Sequence, residues 1–155
     1  MTRTTARELA IALGFSVTSG EMSAEEALER FFDREHYATL ADENPLFAEY
    51  PDKKQMAYIR TMVELIYAHR VELDRAIEQY ARGWKTSRIS RSAAAVLRCA
   101  MCEILYMPDV PDAAAINEAV ELAKKYEDAD TVAFINGVLG AFQRAEKPAE
   151  TPAEE

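Results

Sequence analysis

The sequence predicts an all-α protein of about seven helices in two small helical-bundle subdomains. Apolar residues recur at helical spacing over long stretches, and no stretch shows the strict alternation typical of a half-buried strand. Helix-starting and helix-ending residues divide this pattern into segments of ordinary helix length. With 155 residues, 49% of them hydrophobic, the chain can bury a core without a disulfide or a metal ion.

The first predicted helix spans about Thr4 to Val17 and carries two apolar stripes on different sides. The inner stripe consists of Ala6, Leu9, Ala10, Leu13 and Val17, and the second stripe consists of Ile11, Ala12 and Phe15. Two stripes indicate two neighbours, or one neighbour within the chain and one partner. Ile11 and Phe15 are therefore candidates for a partner surface.

The second predicted helix begins at about Ala24, because Ser23 and Glu26 form a capping-box pattern, and it ends near Arg34. The residues that it carries inward are Ala27, Leu28, Phe31 and Phe32. Between His36 and Pro51 the chain has two prolines and no sustained period. This predicts a connection that contains at most one turn of helix.

The boundary between the subdomains is placed in this connection, which gives one helical domain over residues 1–145 with subdomains at about 1–50 and 51–145. The second subdomain begins with a helical pattern from Asp52 to Arg82, followed by Gly83 as a helix end. The phase of its apolar stripe changes near His69, so we expect a kink or a break into two helices there.

The next helix is apolar on both sides, which predicts the central helix of the subdomain. Ser90 or Ser92 can cap its start, after a basic turn that contains Lys85, Arg88 and Arg91. Within it, Arg98 is expected either to extend its head outward or to pair with a carboxylate. Cys99 and Cys102 have C-x-x-C spacing but lie mid-helix among apolar residues. We interpret them as packed thiols rather than as a redox pair or half a zinc site.

The stretch from Pro111 to Phe142 predicts two helices joined by a short acidic turn, and the rest of the chain is organised around this corner. The first of the two helices is apolar on one side only, as expected for a helix packed on a core. Asp112 and Asp130 are the predicted N-caps of the two helices. Phe134 lies at the edge of the apolar arc of the last helix.

The composition is acidic, with a net charge of −9. Acidic proteins repel RNA, so any RNA site must be a local basic patch, and composition alone favours a protein-binding module. Residues 146–155 are rich in Glu and Pro and are predicted to form a disordered acidic tail. No segment suggests a membrane span or a signal peptide, and the two cysteines suit a reducing compartment, so a cytoplasmic protein is predicted.

No catalytic constellation is present in the sequence, which predicts a protein that is not an enzyme and that needs no cofactor. There is no glycine-rich phosphate loop, no nucleophile motif and no histidine-centred triad. His36 and His69 have no Cys or second His at ligand spacing, so no metal site is predicted.

Arg3 and Arg7 are the clearest candidates for phosphate contacts in the N-terminal half. They are four residues apart, so they share one side of the first helix. They also lie near its N-terminal end, where the backbone N–H groups favour anions. Two solvated arginines on an exposed surface are the alternative interpretation.

Several long segments of the sequence resemble those of the NusB family of bacterial transcription antitermination factors. These are AINEAVELAKKY and FINGVL, preceded by WKTSRISR and LRCAMCEILY, and the resemblance covers nearly the whole chain up to about Phe142. It implies an all-helical protein that binds single-stranded boxA-type RNA together with the ribosomal protein NusE. Such a protein acts indirectly on the RNA polymerase elongation complex in ribosomal RNA operons.

The RNA surface of this family is formed by the N-terminal arginine helix and by the corner between the last two helices. Carried onto this sequence, the resemblance implies that Arg3 and Arg7 contact phosphates. It also implies that Asp130 and Phe134 lie near the bases, with Tyr126 beside them. The competing interpretations are core packing for the two aromatic residues and a simple N-cap role for Asp130.

The sequence departs from the family pattern at three places. Thr4 and Thr5 replace part of a run of arginines, and Glu127 and Asp128 follow Tyr126 where a glycine is common. Both departures weaken the RNA face electrostatically. Ala93 stands where an acid is common on the NusE surface, which leaves Ile11 and Phe15 as the expected contacts for that partner.

Two alternative functions belong to other classes. One is a purely protein-binding helical module, or a homodimer, that does not bind RNA. The other is the accessory domain of an RNA methyltransferase system, because a domain similar to NusB also precedes such enzymes.

Overall fold

The computed structural model describes residues 1–18, 21–82 and 89–147, except for the side chain of Phe15. In these ranges the chain forms eight α-helices and one short 3₁₀ helix, with no strand, which confirms the predicted all-α class. The α-helices are α1 Arg3–Thr18, α2 Ala24–Phe31, α3 Arg34–Leu40, α4 Lys53–Ala68, α5 Arg70–Tyr80, α6 Arg91–Tyr106, α7 Asp112–Tyr126 and α8 Ala129–Glu146. None of these described helices is long and apolar enough to cross a membrane.

The chain divides into two compact units, Met1–Arg70 and Val71–Glu155. The predicted boundary near residue 50 lies inside the first unit. The reason is that α4, which follows the expected boundary, packs against both α1 and α2. The predicted break near His69 is confirmed, because α4 ends at Ala68 and α5 begins at Arg70.

The core of the first unit lies between α1 and α4. The predicted inner stripe of α1 is confirmed, since all five of its residues are buried. The α4 residues Ile59, Met62, Val63 and Ile66 are buried as well. Gly14 permits this close packing, because a Cβ atom there would lie 3.3 Å from Cδ1 of Ile66.

The segment after α2 contains more structure than the sequence predicted. α2 ends at Phe31, and it is followed by α3 and by a 3₁₀ helix at Pro45–Phe47. The prediction of at most one turn of helix was therefore wrong. Two caps explain the difference: Asp33 accepts a hydrogen bond from the backbone of Glu35, and Asn44 accepts one from the backbone of Leu46.

The core of the second unit is formed by α6, α7 and α8, which all pack on one another. α6 has the expected central role, because most of its residues are buried. Cys99 and Cys102 are free and buried, which confirms that they are packed thiols. Arg98 pairs with a carboxylate, which is one of its two predicted arrangements, since its Nε lies 2.8 Å from Oδ1 of Asp74.

The helix starts of the second unit agree with the prediction at one cap and differ at two. Ser90 caps α6 and accepts a hydrogen bond from the backbone of Ala93, as predicted. Asp112 is not an N-cap but the first residue of α7, after Pro111. Asp130 is not an N-cap either, because Asp128 caps α8 by accepting a 2.8 Å hydrogen bond from the backbone of Thr131.

Lys147 closes the C-terminal end of this bundle. Its ammonium donates to Oδ1 of Asp112 at 3.0 Å and to the carbonyl oxygen of Ile104 at 3.1 Å, so it joins the end of α8 to α6 and α7. Glu146 and Lys147, assigned by the sequence analysis to a disordered tail, therefore belong to the helix end. The rest of that predicted tail, together with Gly83, Lys85 and Arg88, lies outside the described residues.

Cys102 makes the stability of the second unit sensitive to alkaline pH. Burial, followed by the neighbouring charge of Glu103, raises the pKa of its thiol from 9.0 to about 12. Below pH 9 the thiol is protonated in both folded and unfolded chains, and the stabilisation is complete. Between pH 9 and 12 the unfolded chain loses the proton first, so stability falls, by roughly 4 kcal/mol at the upper limit.

The Cys102→Ala variant is expected to lose less stability than the parent chain when the pH rises from 8 to 10.5. The expected difference is roughly 2 kcal/mol in the free energy of unfolding, about half of the full effect. Denaturant titrations under reducing conditions measure it. Tyr37, whose pKa burial raises to about 12, contributes equally to both proteins and cancels. Equal losses in the two proteins would contradict the assignment.

Candidate nucleic-acid interface

The residues predicted to bind RNA lie in both compact units and are described separately. Arg3 and Arg7 lie on α1 in the first unit, whereas Tyr126, Asp130 and Phe134 lie at the corner between α7 and α8 in the second. In the described residues, no group of three or more His, Cys, Asp or Glu side chains is arranged to hold a metal ion.

Arg3 and Arg7 lie over the same aromatic ring but differ in exposure. The guanidinium carbons of Arg3 and Arg7 are 4.3 Å and 5.8 Å from the ring centroid of Tyr58 on α4. This common neighbour follows from their spacing of four residues on α1. Arg3 is exposed, whereas only 6% of the Arg7 surface is exposed. A guanidinium so deeply packed presents little surface to a phosphate, so the geometry favours a supporting role for Arg7.

Lys54 adds a second exposed cation beside Arg3, which the sequence analysis did not single out. Arg3, Lys54 and Gln55 line a pocket of about 270 Å³, and we call these three residues the Arg3 patch. Gln55 completes the capping box of α4 with Asp52, and its Nε2 donates to the carbonyl oxygen of Met1 at 2.8 Å. The start of the chain is thereby fastened to the first turn of α4. The Asp52–Gln55 capping-box spacing was a sequence signal for this arrangement.

Tyr126 is the exposed aromatic side chain at the corner of the second unit. It ends α7, and 54% of its surface is exposed. The ammonium of Lys125 lies 5.6 Å from its ring centroid. An exposed ring beside a cation is the combination that single-stranded nucleic acids use for stacking and for phosphate contacts.

Phe134 is buried, in contrast to the stacking role that the resemblance implied. Only 2% of its surface is exposed, so its ring has no accessible face on which a base could stack. It packs in the apolar core of the second unit together with other α8 residues, Ile135, Val138 and Leu139. The competing interpretation, core packing, therefore holds for Phe134 but not for Tyr126.

Asp130 lies in the first turn of α8 and is exposed. Because Asp128 provides the cap, the carboxylate of Asp130 is not needed for that role. The hydrogen bond from the backbone of Thr131 lowers the pKa of Asp128, which keeps the cap ionised. Asp130 is thus an acceptor at the surface of the corner, suitable for the amino groups of base edges.

Glu127 is half-buried and is hydrogen-bonded to residues at the start of α6. Its Oε1 accepts a 2.8 Å hydrogen bond from Oγ of Ser92 and a second, shorter one from Oγ of Ser90. These bonds fasten the corner between α7 and α8 to the start of α6. No local pattern in the sequence revealed them, since 35 and 37 residues separate the partners.

The predicted partner surface on α1 is only partly described. Ile11 is half-buried, and its neighbour in the second stripe, Ala12, is exposed. Phe15 belongs to the helix, but its side chain lies outside the described part of the structure. The described portion of the second stripe is therefore turned at least partly towards solvent.

The fold and these surfaces define an all-helical protein with exposed groups suited to single-stranded nucleic acid: the Arg3 patch on one unit, and an aromatic corner with an exposed carboxylate on the other. A family model described as "NusB family" matches residues 4–144. The chain belongs to the NusB family.

Relatives named "Transcription antitermination protein NusB" match over most of their own length. The protein from Symbiobacterium thermophilum is 38% identical over 149 residues, which cover 96% of this chain and 94% of the relative. The protein from Ruminiclostridium cellulolyticum is 40% identical over 136 residues, covering 86% and 94% of the two chains. A third, from Thermoanaerobacter sp., is 35% identical over 146 residues, covering 94% and 93%.

Proposed function

We propose that this chain is a transcription antitermination factor that binds single-stranded boxA-type RNA as a heterodimer with the ribosomal protein NusE. The observation that carries the proposal is membership of the NusB family over residues 4–144, together with relatives named transcription antitermination proteins. In this role the complex acts on elongating RNA polymerase in ribosomal RNA operons. The chain contributes binding rather than a chemical step.

Within the first unit, Arg3 and Lys54 contact RNA phosphates. Both cations are exposed, and they line the same pocket, so one phosphate group can reach both. Arg7 does not need to touch the RNA, because its side chain is buried and its guanidinium lies over the Tyr58 ring that Arg3 also contacts. Its contribution is to add positive potential and to hold the side of α1 that carries Arg3.

Within the second unit, Tyr126 stacks on a base and Asp130 accepts hydrogen bonds from base edges. The exposure of the Tyr126 ring supports the first assignment, and the exposed carboxylate of Asp130 supports the second. Phe134 supports the corner from the core. Glu127 holds the corner against the start of α6 through its hydrogen bonds from Ser90 and Ser92.

NusE supplies what the acidic chain lacks. A net charge of −9 disfavours RNA at long range, so a basic partner that adds positive surface raises the affinity of the complex above that of either protein. Ile11 and Phe15 on the second stripe of α1 are the proposed contacts for this partner. The half-buried position of Ile11 supports an apolar contact there.

The Arg3→Ala variant tests the RNA assignment within the first unit. It is expected to bind a boxA-like RNA more weakly, and the magnitude of the negative slope of log K against log salt concentration is expected to fall by about 0.7, the value for one lost phosphate contact on a single strand. Fluorescence anisotropy of labelled RNA over a salt series measures both quantities. Arg30→Ala on α2 removes the same charge from the same unit outside the Arg3 patch. If the two variants change the affinity and the slope equally, the effect comes from the loss of net charge and not from a contact at the Arg3 patch.

A further inference from the structure

A second basic pocket lies on the first unit, beside the Arg3 patch. It has a volume of about 430 Å³ and is lined by Leu28, Glu29, Phe32, Arg34, Tyr50, Pro51, Asp52, Lys53, Met56 and Arg60. Lys53 lines this pocket and Lys54 lines the Arg3 patch, and the two residues are consecutive in the first turn of α4. The two pockets therefore lie on neighbouring sides of the first turn of α4. We call the larger one the Arg34 pocket.

The Arg34 pocket is locally basic in an acidic protein. Three cations, Arg34, Lys53 and Arg60, face two carboxylates, Glu29 and Asp52. The Asp52 carboxylate is occupied as the cap of α4, since it accepts a 2.9 Å hydrogen bond from the backbone of Gln55. The local excess of positive charge contrasts with the net charge of −9 for the chain. Such a patch attracts a polyanion in spite of the acidic surroundings.

The guanidinium of Arg34 is held in place before any ligand arrives. Its central carbon lies 4.1 Å from the ring centroid of Tyr50. That ring is itself fixed, because Oη of Tyr50 donates a 2.6 Å hydrogen bond to the carbonyl oxygen of Phe32. Edge contacts with Phe32 and Tyr37 hold the ring from the sides. A guanidinium stacked in this way keeps its N–H groups at the edge and loses little freedom when it binds a phosphate.

Lys53 and Arg60 provide two further contact points along α4. They are seven residues apart, so they lie on one side of the helix, with about 10 Å between them along its axis. Both side chains are exposed. Between the cations, Phe32, Pro51 and Met56 give the pocket an apolar wall. Cations that follow a line beside apolar surface suit a phosphodiester backbone with bases turned inwards.

From this arrangement we infer that single-stranded RNA bound at the Arg3 patch continues into the Arg34 pocket, where Arg34, Lys53 and Arg60 hold nucleotides that flank the boxA-type element. The inference rests on the proposed function and extends its RNA footprint. An acidic peptide is the competing ligand for three cations. RNA fits better, because Lys53 and Arg60 are spaced along α4 from the same helix turn that borders the Arg3 patch, so one phosphodiester backbone can contact both pockets.

The test compares two labelled RNAs, one limited to the boxA-like element and one extended by several nucleotides at each end. In anisotropy titrations with the full chain and NusE, the Arg34→Ala/Arg60→Ala double variant is expected to bind the extended RNA roughly fivefold more weakly and to bind the short RNA as the parent chain does. For the extended RNA, the magnitude of the slope of log K against log salt concentration is expected to fall by about 1.4, which is equivalent to the loss of two phosphate contacts. Arg60→Ala alone, which leaves the stack on Tyr50 intact, is expected to show about half of this change in slope.

The controls separate the possible failures. Arg30→Ala removes an equal charge outside both pockets and is expected to leave the difference between the two RNAs unchanged. If the parent chain with NusE binds neither RNA, the proposed function itself fails. If the parent binds RNA and Arg3→Ala weakens it, but the double variant binds both RNAs normally, the Arg34 pocket alone is excluded. A glutamate-rich peptide that displaces the labelled extended RNA at a lower concentration than unlabelled RNA does would show that the pocket binds an acidic peptide in preference to RNA.

Discussion

Replacing Tyr126 by alanine is expected to weaken binding of the boxA-like RNA by about 1–3 kcal/mol, or about 5- to 150-fold, without lowering the stability of the protein. The ring is more than half exposed at the end of α7, so it offers a stacking face and contributes little to the core. Anisotropy titrations in the presence of NusE measure the affinity, and denaturant unfolding measures the stability.

The Tyr126→Phe variant is the matched control. It keeps the ring and removes only the hydroxyl, so its affinity is expected to stay close to that of the parent chain. Equal losses in the alanine and phenylalanine variants would indicate that the hydroxyl, rather than stacking, makes the contact. An unchanged affinity in both variants would remove Tyr126 from the RNA surface.

Replacing Phe134 by alanine is expected to lower the stability of the protein and to leave its affinity for RNA unchanged. The ring is almost completely buried, so its removal leaves a cavity and lowers the free energy of unfolding by about 3–5 kcal/mol. The fraction of the variant that remains folded is expected to bind RNA normally, since no face of the ring reaches the surface. Denaturant unfolding measures the first effect, and RNA titration at low temperature measures the second.

Phe134→Leu provides the corresponding control, because it keeps most of the apolar volume and is expected to lose much less stability than the alanine variant. A Phe134→Ala protein that is as stable as the parent but binds RNA poorly would contradict the structure. That result would restore the stacking role that family resemblance implied for this residue.

The fold was largely predictable because its signals are local. The inner stripe of α1 and the cap at Ser90 follow from periodicity and from residue type, and both are confirmed. The break at His69 follows from a change of phase in the same way. α3 was missed because the aromatic contacts that hold it, those of Tyr37 with Phe31, Phe32, Phe47 and Tyr50, join residues outside any one helical period.

The candidate site was less predictable because burial depends on tertiary packing. Tyr126 and Phe134 both lie at the edges of apolar arcs, and the sequence could not tell which ring is exposed. Two successive acids, Glu127 and Asp128, follow Tyr126, and only Ala129 separates them from Asp130, so choosing Asp130 rather than Asp128 as the cap was an error of about half a turn. The bonds from Ser90 and Ser92 to Glu127 are long-range contacts that no local pattern reports.

Lys54 and Arg7 show the same limit in the first unit. Their charges are visible in the sequence, but their exposure is decided by the packing of α1 on α4. Arg7 packs on Tyr58 and is buried, whereas Lys54 is exposed beside Arg3. The pair that we propose to contact phosphates is therefore Arg3 with Lys54, rather than Arg3 with Arg7.

The measurement that tests the central claim most directly is the affinity of a labelled single-stranded boxA-like RNA for this chain alone, for NusE alone and for the two together. We expect weak binding by the acidic chain alone, clearly tighter binding by the pair than by NusE alone, and loss of this gain as salt concentration rises. A stable complex with NusE that binds RNA no better than NusE alone would contradict this expectation, because the chain would then be a protein-binding member of the family without an RNA role.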